Sequence, residues 1–105
     1  MYQLIGLAKR AGRLVSGSYA VEKAIKSGKA QLVILSHEAS SNTIKKFLDM
    51  CKYRGIDIIR FGDRQDLGQS IGKPERIVLA IIDPAFKNMI LGALPSSIIN
   101  MGVSD

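Results

Sequence analysis

The 105-residue sequence predicts an α/β fold, a three-layer α-β-α sandwich with a four-stranded sheet and helices on both faces. Three observations lead there. Segments with apolar residues at helical spacing alternate along the chain with short apolar runs of strand length. The runs Leu32–Leu35 and Ile77–Ile82 are apolar at successive positions, as a strand covered by helices on both faces must be. Glycine, serine and aspartate stand at the junctions, where turns and helix caps need them. With 47% hydrophobic and 23% charged residues, the composition is that of a globular chain. The length suits one domain, expected over residues 1–94, with residues 95–105 as a C-terminal tail of no clear period.

Each element has its own local reason. Leu4, Leu7, Ala8 and Ala11 make one helical stripe and Gly12 stops it, so a first helix is expected over residues 2–11. A short strand, Arg13 to Val15, follows. Ser16 or Ser18 is expected to cap a second helix whose apolar face is Ala20, Val21, Ala24 and Ile25 and which ends at Gly28. Gln31 to Ser36 reads as a central strand. Ser40, Ser41 and Asn42 offer caps for a third helix with Ile44, Phe47, Leu48 and Cys51 facing the core and Gly55 as its stop. Ile56 to Phe61 is the third strand, and Asp63 caps a short helix through Leu67 and Ile71. Lys73 to Glu75 turn the chain into the last strand, Ile77 to Ile82. Asp83 followed by Pro84 is a cap with proline in the first turn, opening a helix that reaches about Leu94.

Composition excludes several classes of function. One cysteine, Cys51, forms no intrachain disulfide, and with a single histidine it builds no zinc site of the usual kind, so neither metal nor cofactor is expected. The apolar run Ile77–Ile82 falls far short of the ~20 residues of a membrane-spanning helix, so no membrane association is expected. The apolar Leu4, Ile5 and Leu7 precede the basic Lys9, Arg10 and Arg13, the reverse of a secretory signal, and a cytoplasmic location is expected. The lack of an acid before Glu22 suits a transit peptide too, but the same stretch reads well as an integral helix.

Enzyme motifs are missing as well. Gly68 to Pro74 resembles a phosphate-binding loop one residue short, with Pro74 where a hydroxyl is required. His37 and Glu38 are adjacent on a loop after the central strand, which does not make a catalytic dyad. His37 reads either as a plain surface residue or as a ligand contact. Cys51 falls on the apolar stripe of the third helix, a core position rather than a nucleophile's.

Charge points elsewhere. Fifteen Lys and Arg against nine Asp and Glu give a net charge of +6, the profile of a nucleic-acid binder. Residues 1–30 alone hold six basic residues and one acid. Within that stretch, Ser16, Gly17 and Ser18 stand at a helix N-terminus, where unpaired N–H groups and the helix dipole attract phosphate. Tyr19 and Lys23, four apart, share a helix face. With Lys9, Arg10 and Arg13 nearby in sequence, these residues form a candidate RNA platform. The competing reading packs Tyr19 on the core and leaves Lys23 and Lys26 solvated.

Several segments together resemble a known family. Gly17-Ser18-Tyr19-Ala20-Val21-Glu22-Lys23-Ala24, Gly28 through Leu35, and Leu67 through Gly72 followed by a Val-Leu-Ala-Ile strand are similar to the kink-turn RNA-binding ribosomal proteins of the L-seven-Ae type. The opening Gly-Leu-Ala-Lys-Arg-Ala-Gly, the Asn42–Lys46 segment and the Arg64–Gly68 run resemble the bacterial YlxQ-like branch. The resemblance covers roughly residues 3 to 90. It implies a non-catalytic monomer that docks on ribosomal RNA or another structured RNA, with the ribosome as a candidate partner. In that family a Gly-x-Asn-Glu-x-x-Lys motif at the second helix reads sheared G·A pairs, and the loop after the fourth helix covers flipped bases. The reading of the residues and the resemblance together give an expected RNA-binding set of Lys9, Arg13, Ser16, Gly17, Ser18, Tyr19, Lys23, His37 and Lys73. This chain departs from the motif: Gly17 and Lys23 match, but Tyr19 stands at the Asn position and Ala20 at the Glu position. The loop after Gly72 is Lys73-Pro74-Glu75-Arg76, where the family tends to be apolar. The alternative from another class is a protein-interaction or assembly adaptor that kept the fold without tight RNA binding.

Overall fold

A computed structural model describes residues 1–94; the expected tail, 95–105, lies outside the described residues. Five helices alternate with four strands: α1 Tyr2–Arg10, β1 Leu14–Ser16, α2 Ser18–Lys26, β2 Leu32–Leu35, α3 Ser41–Arg54, β3 Asp57–Arg60, α4 Arg64–Ser70, β4 Val78–Ile81 and α5 Pro84–Gly92. The strands lie in the order β1-β4-β2-β3. β2 and β3 are parallel, while β4 runs antiparallel to both β1 and β2. β2 is interior to the sheet, as its continuous apolar run requires.

Strand alternation divides the core in two. Val33, Leu35, Ile58, Val78 and Ala80 face α2 and α3, where they pack with Val21, Ala24, Ile25, Phe47 and Cys51. Leu32, Ile34, Ile59, Leu79 and Ile81 face the other way, toward α1, α4 and α5, and meet Ile5, Ala8, Leu67 and Ile90. That second cluster is why the β2 run carries no polar position. Phe47 and Cys51 are fully buried, and burial pushes the Cys51 thiol up to about 12.

Side-chain caps hold where a local carboxylate or hydroxyl could be read from the sequence. Ser40 accepts from the Thr43 N–H, Asp63 from Asp66 and Asp83 from Phe86. The second helix departs from expectation. Its cap is Gly17, and neither Ser16 nor Ser18 caps it. Ser16 stays in the sheet opposite Leu79, and its Oγ instead accepts from Arg76 Nε at 3.2 Å. Gly17 then turns the chain at φ 92°, ψ 155°, a backbone region open in practice only to glycine. β1 is correspondingly shifted one residue from the expected Arg13–Val15.

Two ends of the sheet follow from the register. Leu14, Ile81, Leu32 and Asp57 lie abreast at one end. At the other lie Ser16 beside Leu79, and Val78, Leu35 and Arg60 abreast.

Candidate functional site

At the Gly17 end, the chain leaves β1 and enters α2. The Gly17 N–H donates to Val78 O at 3.0 Å, and Gly17 O accepts the first helical bond from Val21. No side chain caps the helix, so the N–H groups of Ser18, Tyr19 and Ala20 have no partner among the described residues. They are three aligned donors at the positive end of a nine-residue helix. Ser18 is exposed, and Tyr19 is 81% exposed. The core-packing reading of Tyr19 therefore fails: the buried stripe of α2 is Val21, Ala24 and Ile25.

Lys23 is exposed one turn along from Tyr19, and the two line a shallow concavity with Glu22, Lys26 and Ser27. Glu22 binds Lys26 at 3.1 Å and Lys46, on α3, at 2.8 Å. Hydrogen bonds from Lys46 and then Lys26 hold its carboxyl below the usual range. Lys23 is left without an ion pair among the described residues, free to meet an anion.

The loop between α4 and β4 reaches the same place. The Lys73 N–H donates to Gly68 O at 2.9 Å and the Arg76 N–H to Arg64 O at 2.9 Å. Arg64 also pairs with Glu75 at 3.3 Å. A Cβ on Gly68 would run into the carbonyl group of Pro74, its carbon 2.6 Å away, so only glycine lets this loop lie against α4. Arg76, tied to Ser16 Oγ, joins the loop to the start of α2. His37 completes the end of the sheet. Its N–H donates to Gly62 O at 2.9 Å and its carbonyl accepts from Arg60 Nη2 at 2.8 Å, while the ring is exposed. The neighbouring Ser36 N–H bonds Ile77 O, which sets His37 beside the segment that leads from Arg76 into β4.

Ser16, Gly17, Ser18, Tyr19, His37 and Lys73 thus gather at one end, with Lys23 one helical turn away. Lys9 and Arg13 do not join them. The Arg13 N–H bonds Ala8 O and its carbonyl accepts from Ile82 N–H, which places it at the far end of the β1–β4 ladder. Three strand residues separate it from Gly17, ~13 Å along the chain axis. Sequence reasoning left Arg76 out of the site, although its place in a basic loop after Gly72 was a signal.

Cys51 is buried with its thiol held protonated at neutral pH, and among the described residues no group of three His, Cys, Asp or Glu side chains could hold a metal ion. What the end offers is helix donors, an exposed aromatic ring and cations at the mouth of a rigid turn.

The chain is similar to known proteins over most of its length. Residues 1–91 match the model of the ribosomal protein L7Ae/L30e/S12e/Gadd45 family. The chain is 43% identical over 93 residues to the RNA-binding protein YlxQ of Bacillus subtilis (strain 168), covering 89% of this chain and 93% of that one. It is 37% identical over 83 residues to the RNA-binding protein YlxQ of Enterococcus faecium, covering 79% and 80%. Among solved structures, a protein of unknown function from Bacillus halodurans C superposes with a TM-score of 0.83 at 42% identity, covering 87% of this chain and 92% of that one. A Giardia lamblia 15.5kD RNA binding protein shares the fold, with a TM-score of 0.74 at 22% identity over 87% of this chain and 78% of its own. The buried alternation, the glycine-opened second helix and these matches together make the chain a member of the ribosomal protein L7Ae/L30e/S12e/Gadd45 family.

Proposed function

We propose that this protein binds structured RNA at the Gly17 end, acting without catalysis as a cytoplasmic monomer, with ribosomal RNA as the first target to try. The uncapped N-terminus of α2 carries the reading: three free N–H donors, those of Ser18, Tyr19 and Ala20, follow Ser16, to which Arg76 ties a basic loop. The names of the Bacillus subtilis and Enterococcus faecium relatives support RNA as the ligand.

Recognition here is of shape and phosphate more than of G·A pairs. Tyr19 and Ala20 stand where the family motif carries an amide and a carboxylate, so no carboxylate at the opening of α2 accepts from a guanine edge. A good bidentate base contact contributes ~1 to 3 kcal/mol of discrimination. The parent should therefore distinguish an intact kink-turn from one with disrupted G·A pairs by less than ~5-fold. Tyr19→Asn with Ala20→Glu should widen that ratio to ~10-fold or more. Titrating both RNAs against both proteins at one salt concentration tests this. A parent that strongly prefers the intact kink-turn would overturn the shape reading, and one that binds no cellular RNA even at low salt would move the protein to the adaptor reading.

A further inference from the structure

The end of the sheet away from Gly17 is the basic end of the molecule. α1, α2 and α3 all finish there, and the loops into β1, β2 and β3 bring Lys9, Arg13, Lys29, Lys52 and Arg54 around the row of Leu14, Ile81, Leu32 and Asp57, while the Arg10 guanidinium folds back along α1 toward Gly6. None of these five is in an ion pair among the described residues. Lys26 and Lys87 lie there too, bound to Glu22 and to Asp57. Besides Glu22, the acids of this end among the described residues are Asp57 and Asp83, and Asp83 is occupied in capping α5.

Helix dipoles account for only part of this. Basic residues in a last turn do stabilise a helix, but each C-terminus presents only ~half a negative charge. Three such termini oppose ~1.5 charges, against seven basic and three acidic side chains at this end among the described residues. Solubility does not explain the placement either, since it would be served by charge spread over both ends. Two further features belong to a contact surface. Tyr53 is 86% exposed between Lys52 and Arg54, with the Arg54 guanidinium 5.8 Å from its ring centre. A concavity between the ends of α2 and α3 and the start of α5 is lined by Gly28, Gln31, Arg54, Gly55 and Lys87.

We propose that this basic pole is a second RNA-contact surface, gripping the phosphates of a segment other than the one at Gly17, with Tyr53 as the stacking face for an unpaired base. RNA is favoured over an acidic protein because an unpaired cation row flanking an exposed aromatic ring fits a charged backbone carrying flat bases. The pole shares its class of partner with the Gly17 end but not its residues, so the two readings fail separately.

The test uses the full chain and a structured ribosomal RNA fragment over a salt series. One variant combines Arg13→Gln, Lys29→Gln, Lys52→Gln and Arg54→Gln, all exposed positions; a second combines Lys23→Gln with Lys73→Gln; circular dichroism confirms that both are folded. The pole variant should lower the slope of log affinity against log salt by ~2 to 3, and affinity at about 0.1 M salt by ~100-fold. Its effect should multiply with that of the second variant. Ultraviolet cross-linking to thiouridine-substituted RNA should label the Tyr53 peptide, and Tyr53→Ala should remove the label. A pole variant with the parent's slope and affinity, alongside a weakened second variant, overturns the pole and leaves the Gly17 reading standing. The converse pattern keeps the pole and overturns the Gly17 reading. If the pole variant keeps RNA binding but loses binding to phosphatidylglycerol vesicles, the surface belongs to lipid and the proposal is wrong.

Discussion

The two ends of the sheet are made by the same four strands and use their charge in opposite ways. At the Gly17 end four basic side chains, Arg60, Arg64, Lys73 and Arg76, face four acids, Glu38, Asp63, Asp66 and Glu75. Three of those cations already have partners: Arg60 holds the His37 carbonyl, Arg64 pairs with Glu75, and Arg76 holds Ser16. At the opposite end five cations have no ion pair among the described residues. The first end is ordered by directional bonds and close backbone contacts. The second is a field. Directional donors in fixed places select among shapes, and their contribution is little affected by salt; an exposed basic surface attracts any phosphate backbone and is screened within ~10 Å at 0.1 M salt. On the readings proposed above, selectivity resides at Gly17 and most of the salt-dependent affinity at the far pole.

The largest expected effect comes from breaking the ordered end alone. Gly68→Ala forces a methyl group into the carbonyl of Pro74, with Glu75 Cα 2.9 Å away, and backbone cannot swing aside as a side chain can. Overpacking of this kind costs ~3 kcal/mol. Denaturant titration should show that loss, and the Lys73–Arg76 loop should move off α4. Because the far pole lies outside this contact, the salt slope of RNA binding should stay close to the parent's while selectivity among RNAs falls. A slope that falls with the selectivity would mean that the two ends are not independent.

A smaller loss is expected from Gly17→Ala. Nothing lies within 4 Å of the added Cβ, so the effect is purely one of backbone conformation at φ +92°. Holding alanine there costs ~1 to 2 kcal/mol, which lowers the thermal midpoint by ~5 to 10 °C for a domain of this size. If the chain relieves the strain by rotating the first turn of α2, the donors of Ser18 to Ala20 shift and RNA affinity drops further than the charge-neutral change alone would give. An unchanged melting temperature would show that the turn tolerates a side chain.

Much of this was legible from residue order, and what was not has a common cause. The element sequence, the buried β2 run and the caps at Ser40, Asp63 and Asp83 are set by neighbours within a few positions, so local pattern suffices. The cap at Gly17 was missed because Ser16 is claimed by a strand partner and by Arg76, sixty positions away. Lys9 and Arg13 stand close to Gly17 in sequence, and residue order alone groups them with it. One short extended segment, β1, carries them to the other end of the sheet, and strand direction is a property of pairing that residue order does not state. Tyr19 is a case of two open readings: an aromatic at the edge of an apolar stripe faces either way, and here Val21, Ala24 and Ile25 take the buried face and leave it exposed.

The smallest expected effect sharpens the boundary between the two ends. Glu22 sits between them on α2 and neutralises Lys26 and Lys46, both exposed. Glu22→Gln adds one positive charge and frees two cations beside the Tyr19–Lys23 surface. RNA affinity at low salt should rise by ~2- to 4-fold and the gain should vanish at high salt, since exposed charges are screened there. Stability should move the other way. The Glu22 carboxyl is held below its ordinary value of 4.5 by Lys46 and Lys26, so the folded state binds its proton less tightly than the unfolded state does. The resulting stabilisation is present in full above the ordinary value and is lost as pH falls through the lowered one. Parent and variant should therefore differ most in thermal midpoint near neutral pH, and the gap should close on acidification below 4.5. Melting curves of both proteins between neutral and acid pH measure it. A gap that is constant across that range would show that the carboxylate charge is not what ties α2 to α3, and that the field of the basic pole already extends unbroken to Tyr19.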